Sequence, residues 1–140
     1  MGSLSVSMRE AASLLAGRHD FVCFRAKDAG REEESTIVVV ERAEIERGAG
    51  GHILFRMKAS HFLWRMVRRI VGVLVKIGQG ELEVEVMRQL IEGQCLPQWD
   101  VAAWTAPASG LFLETVSYGE HGEGRDSQPG RAGKQEIVIR

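Results

Sequence analysis

The chain runs to 140 residues, of which 44% are hydrophobic and 26% charged, with a formal net charge of -1. That length suits one domain or one half of a larger enzyme, and the composition is that of a globular protein rather than a fibrous or wholly disordered one. Apolar runs are broken by arginine well before the ~20 residues a bilayer span needs, and "MGSLSVSMREAASLL" has no basic stretch leading an apolar one, so no membrane partner and a cytoplasmic location are expected.

In chain order, the first expected element is a short helix from about Met8 to Ala16, because Ser7 and Glu10 read as a capping box ahead of Ala11, Leu14 and Leu15, and Gly17 ends it. "RHDFVCFRAKDAG" shows no clear period, and "REEE" reads as a solvated loop. Residues 35–46, "STIVVVERAEIE", are rich in β-branched side chains and settle into alternation only from Arg42 onward, which predicts a strand with one wet face near its end. After the turn "RGAGG", residues 52–59 alternate Ile53, Phe55 and Met57 against His52, Leu54, Arg56 and Lys58, predicting a hairpin with the preceding strand. Ser60 is expected to cap a long helix that "GQG" at 78–80 stops. A second helix is expected over about Val84 to Ile91, then a loop punctuated by Pro97 and Pro107, then a strand over 111–118. The domain is expected to end at residue 118, with 119–140 a polar, Gly-rich tail whose final "EIVIR" forms a short edge strand or an intermolecular one. The fold class expected is α+β, an antiparallel sheet packed against helices. Cys23 and Cys95 have no metal-ligand spacing and are expected to pack as small apolar side chains rather than to form a disulfide.

Charge is distributed unevenly along this order. From Arg47 to Gly80 there are seven basic residues and no Asp or Glu, whereas Glu32, Glu33 and Glu34 precede this stretch and Glu81, Glu83, Glu85 and Glu92 follow it. On a wheel of about 100° per residue, His61, Arg65, Arg68, Arg69, Gly72 and Lys76 share one sector, and the remaining positions from Phe62 to Ile77 are apolar. So wide an apolar arc predicts cover on two sides. The arginines have no acidic partner three or four positions away, which favours phosphate binding over a solvated, self-paired helix face. Arg68, at the sector's edge beside Trp64, Val71 and Val75, is expected to be partly buried and to need an anion: a substrate phosphate or a carboxylate from elsewhere. Gly72 is read as accommodating either a packed neighbour or a ligand.

Three segments in order, "LLAGRHDFVCFRA" (14–26), "FRMKASHFLWRMVRRIVGVLVKIGQGEL" (55–82) and "TAPASGLFLETVSY" (105–118), resemble the C-terminal half of the TruA-type tRNA pseudouridine synthases. The resemblance implies a mixed helix and antiparallel-sheet fold with a basic cleft for tRNA. It also implies a chemistry without metal or organic cofactor, in which a uridine is detached from its ribose, rotated and rejoined through carbon. The family's catalytic aspartate lies in a "GRTDAGVHA"-like segment that this chain lacks, and the family's middle tyrosine region is also missing. Arg68 matches the arginine of the family's "MVR", whose role is to pair with that aspartate. Leu111 and Leu113 match apolar residues near the active-site pocket.

The resulting expectation is a C-terminal portion of a tRNA pseudouridine synthase, inactive alone. Arg68 serves the active site, and Arg56, Lys58, His61, Arg65, Arg69 and Lys76 contact RNA. Its partners are tRNA and either the missing N-terminal half or a second copy in a homodimer that would cover the wide apolar helix face. The alternative is a stand-alone, non-catalytic RNA-binding or self-associating module derived from this family. His19 and Asp20 are read as loop hydrogen-bonders, and neither Asp28 nor Asp100 is expected to replace the missing nucleophile.

Overall fold

The computed structural model describes residues 6–26, 35–47, 53–63 and 65–104, and the backbone course of 111–117 and 133–139. In chain order these form α1 (Val6–Ser13), β1 (Gly17–Asp20), a 3-10 turn (Val22–Phe24), β2 (Ile37–Arg47), β3 (Ile53–Ala59), α2 (Met66–Gly78), α3 (Val84–Leu90), β4 (Leu111–Ser117) and β5 (Gly133–Ile139). The strands make one five-stranded sheet in the order β1-β2-β3-β5-β4, antiparallel at each pairing. This is the α+β architecture expected. No described helix is long and apolar enough to cross a membrane.

The hairpin of β2 and β3 is the spine. Phe55, Met57 and Ala59 of β3 are buried with Val38, Val40 and Ile45 of β2, and one hydrophobic core joins them to α1, the 3-10 turn, α2 and α3. The helices therefore cover one face, and alternation sends Arg56 and Lys58 to the other. A register shift between Val40 and Arg42 marks a bulge in β2. It turns both Glu41 and Arg42 outward and moves the inward set from even to odd positions, which is why the sequence alternates cleanly only after Arg42.

Four expectations are corrected. The long helix begins five residues past the Ser60–His61 junction, at Met66, with Arg65 as its N-cap residue and no capping side chain. Ser60 instead extends the strand pairing: its N–H donates to the Val39 carbonyl (2.8 Å), and its Oγ accepts from the Val39 N–H (3.0 Å). Phe62 and Leu63 are buried ahead of the helix and a turn from Leu63 to Met66 leads into it, so the wheel positions of 61–65 do not apply. Likewise α1 starts at Val6, which places Ser7 inside the helix rather than at its cap.

The second correction concerns the apolar arc of α2. Val67, Ile70, Val71, Val73, Leu74 and Ile77 are all buried within this chain, against the sheet and against α1. A Cβ at Gly78 would meet the Met8 sulfur at 2.9 Å, a measure of how closely α1 approaches. The expected second layer is thus supplied in cis. Third, Cys23 and Cys95 form a disulfide across a sequence separation of 72, with Cα atoms 5.5 Å apart. It ties the 3-10 turn to the segment after α3. Fourth, 133–139 is an interior strand and not an edge: β5 pairs with β3 on one side and β4 on the other.

Candidate nucleic-acid interface

Arg65 adopts φ 60 and ψ 14, the left-handed region, and is the one non-glycine residue with positive φ among those described. For an L-residue this costs about 1–2 kcal/mol, so packing on either side must enforce it. Buried Leu63 and Met66 do so, and a turn closes between them, with the Met66 N–H donating to the Leu63 carbonyl at 3.1 Å. Arg68 and Arg69 follow in the first helical turn, which holds no acidic residue. Cations at a helix N-terminus oppose the macrodipole, each at a cost of about 0.3–1 kcal/mol. The opening of α2 therefore gathers positive charge with no acidic residue in the helix's own first turn.

The three guanidinium groups differ in setting. Arg68 is exposed, not partly buried as its wheel position predicts, because the neighbours that the fold brings up, the Arg25 carbonyl and Asp100, come to Arg69. It makes no ion pair or hydrogen bond among the described residues. Arg69 is the half-buried one. Its Nη1 donates to the Arg25 carbonyl at 3.4 Å, and its Nε is buried without a hydrogen-bond partner. Burial holds its pKa below the usual arginine value, the charge of Arg65 adds to that, and Asp100 opposes it. Arg65 itself is exposed.

The other basic candidates stand elsewhere. Arg56 reaches Glu46 at 2.7 Å and Lys58 reaches Glu41 at 3.5 Å, with Arg42 and Glu44 alongside at 3.8 Å. All lie on the sheet face opposite the helices, where Glu44 stands opposite Arg56 and Arg42 opposite Lys58, with Glu41 and Glu46 supplying the remaining acids. Lys76, at the far end of α2, pairs with Glu81 at 2.9 Å and lies 6.0 Å from the centre of the Trp104 ring. His61 bridges the strand ends, Nε2 to the Ser35 carbonyl at 2.9 Å and Nδ1 to Ser60 Oγ at 3.2 Å. The sequence's single basic stretch is thus divided by the fold into a balanced outer sheet face and a positive helix start.

Leu111 and Leu113 stand on β4 opposite Ile139 and Ile137. His19 and Asp20 are hydrogen-bonders as expected, but from strand β1 and not from a loop: His19 Nε2 lies 2.8 Å from the Ala16 carbonyl, and Asp20 Oδ1 accepts from the Val22 N–H at 3.1 Å. Asp100 Oδ1 accepts from the Ala103 N–H at 3.2 Å and so starts a turn. Asp28 lies outside the described residues. Sequence reasoning missed the Arg25 carbonyl and Asp100 as the surroundings of Arg69, since their approach depends on long-range packing. Among the described residues no group of three His, Cys, Asp or Glu side chains could hold a metal ion.

Residues 11–119 match the family model described as tRNA pseudouridine synthase. The chain is 40% identical over 111 residues to tRNA pseudouridine synthase A of Pseudothermotoga lettingae, a match covering 79% of this chain and 43% of that protein. It is 39% identical over 111 residues to tRNA pseudouridine synthase A 2 of Protochlamydia amoebophila, covering 79% and 41%. With the Leuconostoc citreum tRNA pseudouridine synthase A it shares 36% over 115 residues, covering 81% and 42%. The match thus covers less than half the length of each of these relatives.

Proposed function

The chain belongs to the tRNA pseudouridine synthase family, and from that premise we propose that it supplies the C-terminal portion of such an enzyme. In this reading it converts uridine to pseudouridine in tRNA only when joined to the portion it lacks. Isomerisation breaks the bond from ribose C1′ to uracil N1 and makes one from C1′ to C5, with the C5 proton released and N1 protonated. A carboxylate must assist at the sugar or the base, and Arg68 is assigned to hold that carboxylate, supplied by the rest of the enzyme, ionised and oriented. Arg68 is in this sense a positioning residue. Arg65 and Arg69 are assigned to the tRNA phosphates that flank the target, and Leu111 and Leu113 to the apolar wall of the base pocket. The observation that carries the reading is the start of α2, where Arg65, Arg68 and Arg69 gather with no acid in the first turn.

The reading places the protein with tRNA in the cytoplasm, where thiol pools would act to open the Cys23–Cys95 disulfide. A fusion joining the unmatched part of the Pseudothermotoga lettingae enzyme to this full chain tests the proposal, with tritium release from tRNA labelled at uridine C5 as the readout. Turnover by the fusion and none by the chain alone is expected. An inactive fusion that still folds and binds tRNA contradicts the proposal, as does turnover by the chain alone. In the active fusion, Arg68→Ala lowers kcat far more than it raises KM, and Arg68→Lys restores part of the loss. A purely structural role would give neither result.

A further inference from the structure

β5 stands in the middle of the sheet, yet it lies outside the segment that matches the family. The match runs over 11–119 and includes β3 and β4, while β5 occupies 133–139, between them. Both neighbours run antiparallel to β5, so β3 and β4 are parallel to each other and about 9.5 Å apart, two strand spacings. The chain passes from β3 to β4 through α2 and α3. This is a split βαβ crossover with one strand's width left open at its centre. Direct pairing of β3 with β4 would draw β4 one spacing sideways beneath helices that pack on the core of Phe55, Met57, Ile70 and Leu74. The gap therefore belongs to the matched fold, whereas its occupant here does not.

The occupant also fits unevenly. Ile137, Val138 and Ile139 stand opposite Phe55, Leu54 and Ile53 and Glu136 opposite Arg56, but towards the start of the strand Lys134 faces Lys58 and Gly133 faces Ala59. Like charges directly opposite each other, and glycine within a strand, both weaken pairing.

We infer that the gap between β3 and β4 is a strand-accepting site for the part of the enzyme this chain lacks, and that β5 is a replaceable substitute which closes it in the isolated chain. The partner is an extended segment running antiparallel to both strands, bound by main-chain hydrogen bonds on two sides. β5 competes with it, reducing apparent affinity by the fraction of chains in which the gap is open, on the order of tenfold for a 10% open population. The inference rests on the reading of the chain as one portion of a larger enzyme.

Amide hydrogen exchange on the chain alone and on the fusion described above separates the two. In the chain alone, β5 amides are expected to be protected with those of β3. In the fusion, β5 amides should exchange about 100-fold faster while β3 and β4 keep their protection. An active fusion with β5 still protected overturns this inference and leaves the proposed function standing. An inactive fusion with β5 released overturns the proposed function alone, and an inactive one with β5 protected overturns both. Val138→Pro, which removes a donor from the centre of β5, should destabilise the isolated chain and expose strand edges to association, yet leave fusion turnover within about twofold. Loss of fusion turnover in a folded Val138→Pro variant also overturns the inference.

Discussion

The outer face of the β2–β3 hairpin and the first turn of α2 carry similar amounts of positive charge and are built on opposite plans. On the hairpin, Arg42, Arg56 and Lys58 each meet a glutamate of β2; at the helix start, Arg65, Arg68 and Arg69 follow one another with no acid in the turn. Pairing across strands brings together residues 10 or more apart in sequence, as with Arg56 and Glu46, so a stretch that is locally all basic becomes neutral on folding. The helix start holds no acid in its own first turn, and Asp100, distant in sequence, comes near Arg69. How far the fold matches a basic stretch with opposing charge is not reported by local composition alone.

Arg68→Ala bears hardest on the contrast between these two surfaces. In the active fusion, turnover should fall by about 100- to 1000-fold, the range for removing one group that stabilises charge at a reacting centre. Melting of the isolated chain should shift little, since an exposed side chain without partners typically changes stability by no more than about 0.5 kcal/mol. A loss of stability equal to the loss of turnover would make Arg68 structural and erase the contrast with the hairpin.

Next in size is the disulfide. Cys23→Ala together with Cys95→Ala should cost about 2–4 kcal/mol in denaturant titrations without reductant and release the 3-10 turn whose neighbouring Arg25 carbonyl holds Arg69. If stability is unchanged between oxidising and reducing buffers, the bond does not stabilise the fold. Arg65→Gly should do the opposite and raise stability by about 0.5–1 kcal/mol, because glycine enters the left-handed region without the side-chain penalty but loses more chain entropy. Weaker tRNA binding should accompany that gain. Smallest of all, Arg56→Ala and Lys58→Ala should each change stability by less than about 0.5 kcal/mol, as expected for exposed ion pairs.

Much of the fold can be read from local pattern. The β2–β3 hairpin, α3 and β4 follow from alternation, helical period and breaker residues, and the inward set of Phe55 and Met57 follows from period two. The features that escape reading are those fixed by contacts distant in sequence. Ser60 has the chemistry of a helix cap, but a strand partner at Val39 claims it. Cys23 and Cys95 are 72 residues apart and meet only because the 3-10 turn and the end of α3 pack on the same side. β5 reads as part of a polar tail because its apolar half is only Ile137 to Ile139. At the candidate site, the arginines are legible as a group, but which of them is buried is not. That depends on which neighbours the fold packs beside each, and the Arg25 carbonyl and Asp100, both distant in sequence, come to Arg69 and not to Arg68.

The central claim is that the start of α2 faces an anion from outside this chain and the hairpin face does not. Its most direct test is the salt dependence of tRNA binding, measured for the chain and its single alanine variants. Arg65→Ala and Arg69→Ala should each reduce the slope of log affinity against log salt by about 0.7–0.9, one counterion, and Arg56→Ala and Lys58→Ala should leave it unchanged. Equal reductions from both pairs would contradict the account.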